Sequence, residues 1–303
     1  MSIKYYSPLR YPGGKGMFSY FFSEVIKNNL GVKYFSEPFA GGAAVSLSLL
    51  KNGFVEKIFL NDQDIFIYSF WKAIITKPDE FIKLIRKTPV TIGEWKKQNA
   101  FYRDPKTPKS ASLLDIGFCT FFLNRCNRSG ILNAGPIGGK EQTGEWKIDA
   151  RFKNKESLIN RIEVIKRFRN KINISRDDGI DYMKVFLNKN TSIPHKAILF
   201  YLDPPYYLQG KSLYKNNYYV DKDHKNLANH LNSSSLKWIL SYDENKFIRN
   251  LYSNGSFQWS KSLRMTHLAN KTKIGKELII ASNNCKIPLS KIKLTKSQLK
   301  PMS

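Results

Sequence analysis

The hydrophobic residues of this chain follow two rhythms. Ala197 to Leu202 reads AILFYL, six apolar residues in a row that stop at Asp203, followed by Pro204, Pro205, Tyr206 and Tyr207. An unbroken run suits a strand buried on both faces of a parallel sheet, and the prolines, which cannot donate ladder hydrogen bonds, end it. Shorter runs predict strands at Val32 to Ser36, Glu56 to Leu60, Lys171 to Ser175 and Lys237 to Tyr242, with a last pair at Ser256 to Trp259 and Glu277 to Ala281 around a basic loop. Helical spacing appears at Phe18, Phe21, Phe22, Val25 and Ile26, from Ala44 through Leu50, and at Ile65, Tyr68, Ser69, Trp71 and Lys72. It returns at Ile180 to Leu187, where Asp177-Asp178-Gly179 supplies the cap, at Asp223 to Leu231 and at Asn245 to Tyr252. Strands alternating with helices predict an α/β fold on a parallel sheet.

The alternation lapses between about Thr76 and Ile174. Helical patterns at Asp79 to Arg86, Ala111 to Leu123 and Glu156 to Phe168 surround a glycine-rich segment, Asn124 to Gly144, with no buried-strand run among them. This divides the chain into a catalytic unit, 1–75 with 175–303, and an inserted, mainly helical unit, 76–174.

Charge narrows the choice of partner. Fifty Lys and Arg stand against 24 Asp and Glu, a formal net charge of +26, which points to a polyanion. In the insertion, Asn124, Arg125, Asn127, Arg128 and Lys140 are of the types that bind bases and phosphates, and a glycine-rich hairpin would carry them to a duplex; a helix end closed by polar caps is the other reading. Arg264 and Lys273, in the loop between the last two strands, are expected to grip phosphates, although solvated loop charges are common. The chain has 42% hydrophobic residues, no run near the ~18 apolar residues of a membrane span and no signal-peptide core, so a soluble cytoplasmic protein is expected. Three cysteines and four scattered histidines lack ligand spacing, so no metal is expected.

The chemistry concentrates at strand ends. Tyr11-Pro12-Gly13-Gly14-Lys15-Gly16 opens a helix, whose N-terminus suits a carboxylate or phosphate. Glu37-Pro38-Phe39-Ala40-Gly41-Gly42 joins a strand to a helix through small residues, a turn that lets backbone approach a cofactor without the GxGxxG fingerprint of dinucleotide sites. Asp62, about 20 residues later at the next strand end, is placed either to bind ribose hydroxyls or to cap the helix that follows. At Asp203-Pro204-Pro205-Tyr206 a carboxylate, a proline-fixed carbonyl and an aromatic ring meet the needs of methylating a nucleobase amine. Two acceptors bind the amine's hydrogens, and the ring stacks on a base turned out of the duplex. A strand-to-loop turn with an Asp cap is the plainer alternative.

The order of these motifs, Tyr-Pro-Gly-Gly-Lys, Glu-Pro-Phe-Ala-Gly-Gly, Asn-Asp, an insertion and then Asp-Pro-Pro-Tyr, resembles the Dam-like class of DNA adenine N6-methyltransferases over nearly the whole chain. The resemblance implies a Rossmann-like class I methyltransferase sheet with an inserted target-recognition domain, and S-adenosylmethionine as methyl donor. It places Tyr11, Lys15, Phe39, Gly41, Asp62, Asp178 and Asp203 at the cofactor, and Asp203, Pro204, Pro205 and Tyr206 at the reaction. It implies double-stranded DNA as substrate, and leaves room for a companion restriction endonuclease; a monomer suits methylation of one strand at a time. Some relatives carry Trp-Ala where this chain has Tyr11-Pro12, and the Tyr-Asn-Gly element of GATC-methylating members is replaced here by Asn127-Arg128-Ser129-Gly130. GATC specificity is therefore not implied. Methylation of cytosine N4 or of RNA, or a DNA-binding protein without catalysis, are the alternatives.

Overall fold

The structure is a computed structural model that describes residues 6–10, 18–207, 219–253, 257–269 and 271–288, the side chains of 257–269 and 271–276 excepted. Seven strands form one sheet in the order β3-β2-β1-β4-β5-β7-β6. They are β1 (Tyr34–Glu37), β2 (Lys57–Asn61), β3 (Ile172–Ser175), β4 (Ile198–Leu202), β5 (Lys237–Asp243), β6 (Phe257–Ala269) and β7 (Lys271–Ser282). The first five are mutually parallel, and β7 runs antiparallel to both β5 and β6. Connections run outward from β1 in one direction and from β4 in the other, so the strand order reverses between them. In doubly wound sheets the crevice above the carboxyl ends at such a switch point is where ligands bind.

The apolar run of β4 follows from its central place. Ile198, Phe200 and Leu202 point into one hydrophobic cluster, while Leu199 and Tyr201 point into the other, on the opposite face. A strand buried on both sides has no polar alternation to show. One face is covered by α1 (Phe18–Asn28), α2 (Ala44–Lys51) and α3 (Ile65–Thr76), the other by α9 (Gly179–Lys189), α10 (Asp221–Ser233) and α11 (Lys246–Leu251).

Between β2 and β3 the chain after α3 is helical: α4 (Pro78–Lys87), α5 (Ile92–Arg103), α6 (Thr107–Ser110), α7 (Leu113–Cys126) and α8 (Lys155–Arg167). Phe81, Phe118, Phe121 and Phe122 join Phe70 of α3 in the hydrophobic cluster that also holds Phe35 and Tyr201 of the sheet. The α3–α7 contact is close: a Cβ at Gly117 would lie 2.6 Å from the Ser69 carbonyl oxygen, and Thr120 Oγ1 donates to the Phe66 carbonyl at 3.0 Å. Among the described residues no helix is long and apolar enough to cross a membrane.

Two expectations change. Residues 92–103 form a helix that the apolar spacing does not announce, because Trp95 is its one buried side chain. The expected basic loop after Trp259 is instead continuous hairpin, paired from Trp259↔Ala281 to Ala269↔Lys271. Arg264 therefore lies on β6 and Lys273 on β7, with side chains outside the described part.

Candidate active site

Three strand ends meet beside the switch point, and Asn61 ties them together. It is fully buried at the end of β2. Its amide donates to the carbonyls of Pro38 and Asp177, both at 2.9 Å, and its Oδ1 accepts from Ser175 Oγ at 2.8 Å and from the Asp177 amide at 2.9 Å. Four bonds satisfy this side chain's full capacity and join the ends of β1, β2 and β3.

The turn after β1 is pinned beside it. Gly41 has φ +46°, a conformation glycine adopts without cost, and its N–H donates to Asp62 Oδ2 at 2.9 Å. Its carbonyl accepts from Trp71 Nε1 at 2.9 Å. Asp62 Oδ1 accepts from the Asp64 amide at 3.0 Å, and the helix cap is Asp64, whose carboxylate accepts from the Phe66 and Ile67 amides. Of the two roles open to Asp62, capping thus falls to its neighbour. Each Asp62 oxygen takes one amide, which leaves lone pairs for a further donor. Burial, with Asp64 close by, pushes the Asp62 carboxyl up to about 7.

Glu37, at the end of β1, is buried with its carboxylate accepting from the Ser46 amide of α2 at 2.9 Å. Burial first, and then the charge of Asp203, push it up to about 8, so it is mostly protonated at neutral pH. Phe39 leans on the start of α9. A Cβ at Gly179 would lie 2.4 Å from Phe39 Cζ, so this approach requires glycine. Asp178 caps α9, accepting from the Ile180 and Asp181 amides at 2.9 and 3.2 Å. A groove between α9 and α10 is lined by Asp178, Ile180, Tyr219 and Asn226, and the Tyr219 ring meets Phe39 edge-on at 5.8 Å.

At the end of β4 the side chain of Asp203 is held by a relay. Ser241 Oγ donates to Asp203 Oδ1 at 2.9 Å, and because it has one hydrogen it accepts from Tyr201 Oη at 3.0 Å. Pro204 and Pro205 are buried, Tyr206 donates from its hydroxyl to Glu277 Oε1, and the Tyr207 amide donates to Asp243 Oδ1 at 3.1 Å.

The insertion residues divide. Asn124 is 1% exposed: its Oδ1 accepts from the Arg10 amide at 2.7 Å, and its amide donates to the carbonyls of Arg10 and Gly130 at 2.6 and 2.8 Å. Asn127 is 0% exposed, bonded to Trp95 Nε1 and to the Ile131 and Leu132 carbonyls. The Arg125 guanidinium is buried against the carbonyls of Arg151 and Pro8. Base contact by these three is corrected on that ground, since their polar groups are turned to the protein's own backbone and, for Asn127, to Trp95 as well. Arg128 and Lys140 are exposed. Tyr11 and Lys15 lie outside the described residues. Asn61, Glu37, Ser241 and Glu277 have no site role in the sequence reading, although a polar residue inside or beside an apolar strand run is their signal.

The D12 class N6 adenine-specific DNA methyltransferase family matches this chain over residues 11–268. A search of curated proteins gives no match. Among solved structures, the rRNA methyltransferase aviRa from Streptomyces viridochromogenes at 1.5 Å is similar at 8% identity, covering 87% of this chain and 84% of that one with a TM-score of 0.35. A second structure of it at 2.4 Å is similar at 9% identity, covering 92% and 88%, with a TM-score of 0.36.

Proposed function

Since this chain belongs to the D12 class N6 adenine-specific DNA methyltransferase family, and so is an enzyme that methylates adenine in DNA, we propose that the switch-point cluster is where it does so. The observation that carries this reading is the placement of Asp203, its carboxylate oriented by Ser241, at the end of β4 beside the Glu37–Gly41 turn.

The residues present fit S-adenosylmethionine. Asp62 retains acceptor capacity for ribose hydroxyls, Gly41 offers backbone without a side chain, and Tyr219 Oη is buried with no hydrogen-bond partner among the described residues, in the groove that starts at Asp178. Tyr11, Lys15, Phe39, Gly41, Asp62, Asp178 and Asp203 would hold it. Bound there, it supplies a methyl group on a positively charged sulfur, an already activated leaving group. The protein's work is then to prepare the nucleophile. An adenine amine is conjugated with its ring and is a weak nucleophile. Asp203 and the Pro204 carbonyl accept its two hydrogens, which frees the lone pair, and Asp203 takes up the proton that N6 sheds as the new bond forms. Tyr206 supplies the face on which an extruded base stacks. Pro204 and Pro205 hold both acceptors rigidly, and such positioning is worth orders of magnitude in rate.

The helices of 76–174 form the target-recognition part in this reading, with Arg128, Lys140, Arg264 and Lys273 contacting double-stranded DNA. A monomer suffices, since one strand is modified at a time, and a companion restriction endonuclease is compatible with it. Asp203→Ala tests the assignment. With labelled S-adenosylmethionine and unmethylated genomic DNA, the wild type deposits label in N6-methyladenine, while the variant binds donor and DNA but loses at least about a hundredfold in turnover. Near-normal turnover of the variant refutes the mechanism.

A further inference from the structure

The turn that follows β4 is held from the side by three polar residues of the next two strands. Ser241 and Asp243 of β5 hold Asp203 and the Tyr207 amide, and Glu277 of β7 accepts the Tyr206 hydroxyl. Glu277 pairs directly with Asp243 across the β5–β7 ladder and is 1% exposed. A buried carboxylate is costly, and the next four positions of the same strand, Leu278 to Ala281, are apolar and fully covered. The sheet's packing alone would be served by an apolar residue at 277. Among its bonds, the carboxylate makes a charge-assisted one at the far end of the tyrosine ring.

We infer that Glu277 is a positioning residue for base stacking: it fixes the Tyr206 ring in the plane on which the target adenine lies. A tyrosine anchored at its Cα alone can swing about two side-chain torsions. Anchored also at its hydroxyl, it presents one fixed face, and the cost of ordering it is met before the base arrives. The inference rests on the stacking role given to Tyr206 above. It differs in that it concerns the hydroxyl, which makes no contact with a base stacked on the ring.

A mutant cycle on the intact protein tests it. The wild type is first assayed on genomic DNA to map its modified sequence, and a duplex carrying that sequence is then the substrate. Tyr206→Phe, which removes only the hydroxyl, is expected to lower kcat about tenfold, the size of one charge-assisted hydrogen bond, with KM for S-adenosylmethionine within about twofold. Glu277→Ala is expected to lower kcat by a similar factor, and the double variant no further. Glu277→Gln, which keeps an acceptor, is expected to recover most of the loss. A merely structural role for Glu277 predicts instead weakened donor binding, no rescue by Gln, and losses that multiply in the double variant. Any of these overturns the inference, as does an unchanged kcat in Tyr206→Phe, which decides the matter alone if Glu277→Ala does not fold. A wild type that leaves DNA unmodified overturns the functional reading as well, and so separates the two failures.

Discussion

Asn124→Ala removes the bracket that joins the inserted helices to the N-terminal segment. Three hydrogen bonds disappear, two of them with the backbone of one residue, the Arg10 amide and the Arg10 carbonyl, and the third with the Gly130 carbonyl. At about 1 kcal/mol net for each intramolecular hydrogen bond the expected loss is about 3 kcal/mol, more if the stranded backbone groups find no water. Against the roughly 5–15 kcal/mol that holds a typical domain together, that is a large fraction. Gly130 closes the escape route: at φ +76°, with a Cβ that would lie 2.4 Å from the Arg10 oxygen, it is fitted against the same backbone and has little room to repack. The assay is urea unfolding of wild type, Asn124→Ala and the exposed control Lys140→Ala. Asn124→Ala should lower the midpoint by the equivalent of about 3 kcal/mol at unchanged slope, while the control stays within about 0.5 kcal/mol. A loss below about 1 kcal/mol for Asn124→Ala refutes the reasoning, because it would mean that the three bonds are replaced by solvent at no cost.

Two further outcomes are expected at the donor side of the site. Gly179→Ala places a methyl group 2.4 Å from Phe39 Cζ, and the ring, as the movable partner, must turn away; calorimetry should show affinity for S-adenosylmethionine weakened at least about tenfold with stability lowered by no more than about 1–3 kcal/mol, and unchanged affinity would remove Phe39 from the donor site. Burial raises Asp62 to about 7 and Glu37 to about 8, so both charge as pH rises through the neutral range, and titration across pH 6–9 should show affinity for the cationic donor rising across that range. Stability runs the opposite way: the folded chain keeps protons that unfolded carboxyls release near pH 4, so this contribution is full below about pH 4 and is lost progressively up to about pH 8. A donor affinity independent of pH would contradict the role given to Asp62.

The parts of the fold that sequence reveals are those where one physical demand dominates. The AILFYL run shows β4 because a central strand must be apolar on both faces, and Asp203-Pro204-Pro205 shows its end because proline cannot continue a ladder. The Gly41 turn and Asp62 are legible for the same reason, since backbone that approaches a partner closely has few permitted residues. Helix α5 is illegible because one buried tryptophan makes no stripe. Asn124, Arg125 and Asn127 mislead in a more instructive way. Their residue types suit nucleic acid, and equally suit buried carbonyls and amides. Asn124 meets Arg10 across 114 positions of chain, a pairing that no local pattern contains. Glu277 is similar, because a strand beginning Lys-Glu-Leu-Ile-Ile reads as a solvated edge until β5 and Tyr206 are seen beside it.

Asn61 and Asn124 together bear on how the proposed donor and DNA sites are connected. Asn61 binds the ends of three strands into one rim, and Asn124, with Arg125 and Asn127 beside it, binds the last turn of α7 to residues 8–10. Residues 8–10 lead directly into Tyr11, and α7 leads directly into the exposed Arg128 and on to Lys140. The same α7 packs on α3, whose cap Asp64 donates its amide to Asp62. Where DNA meets the loop after α7 as proposed, a displacement of that loop has a packed route through α7 and the α3 N-terminus to Asp62. Close-packed elements transmit such a displacement instead of absorbing it. On the proposed function, Asn124 acts through the end of α7 that it fastens, without touching either substrate. Its replacement should accordingly weaken the dependence of donor affinity on bound DNA even at temperatures where the fold survives.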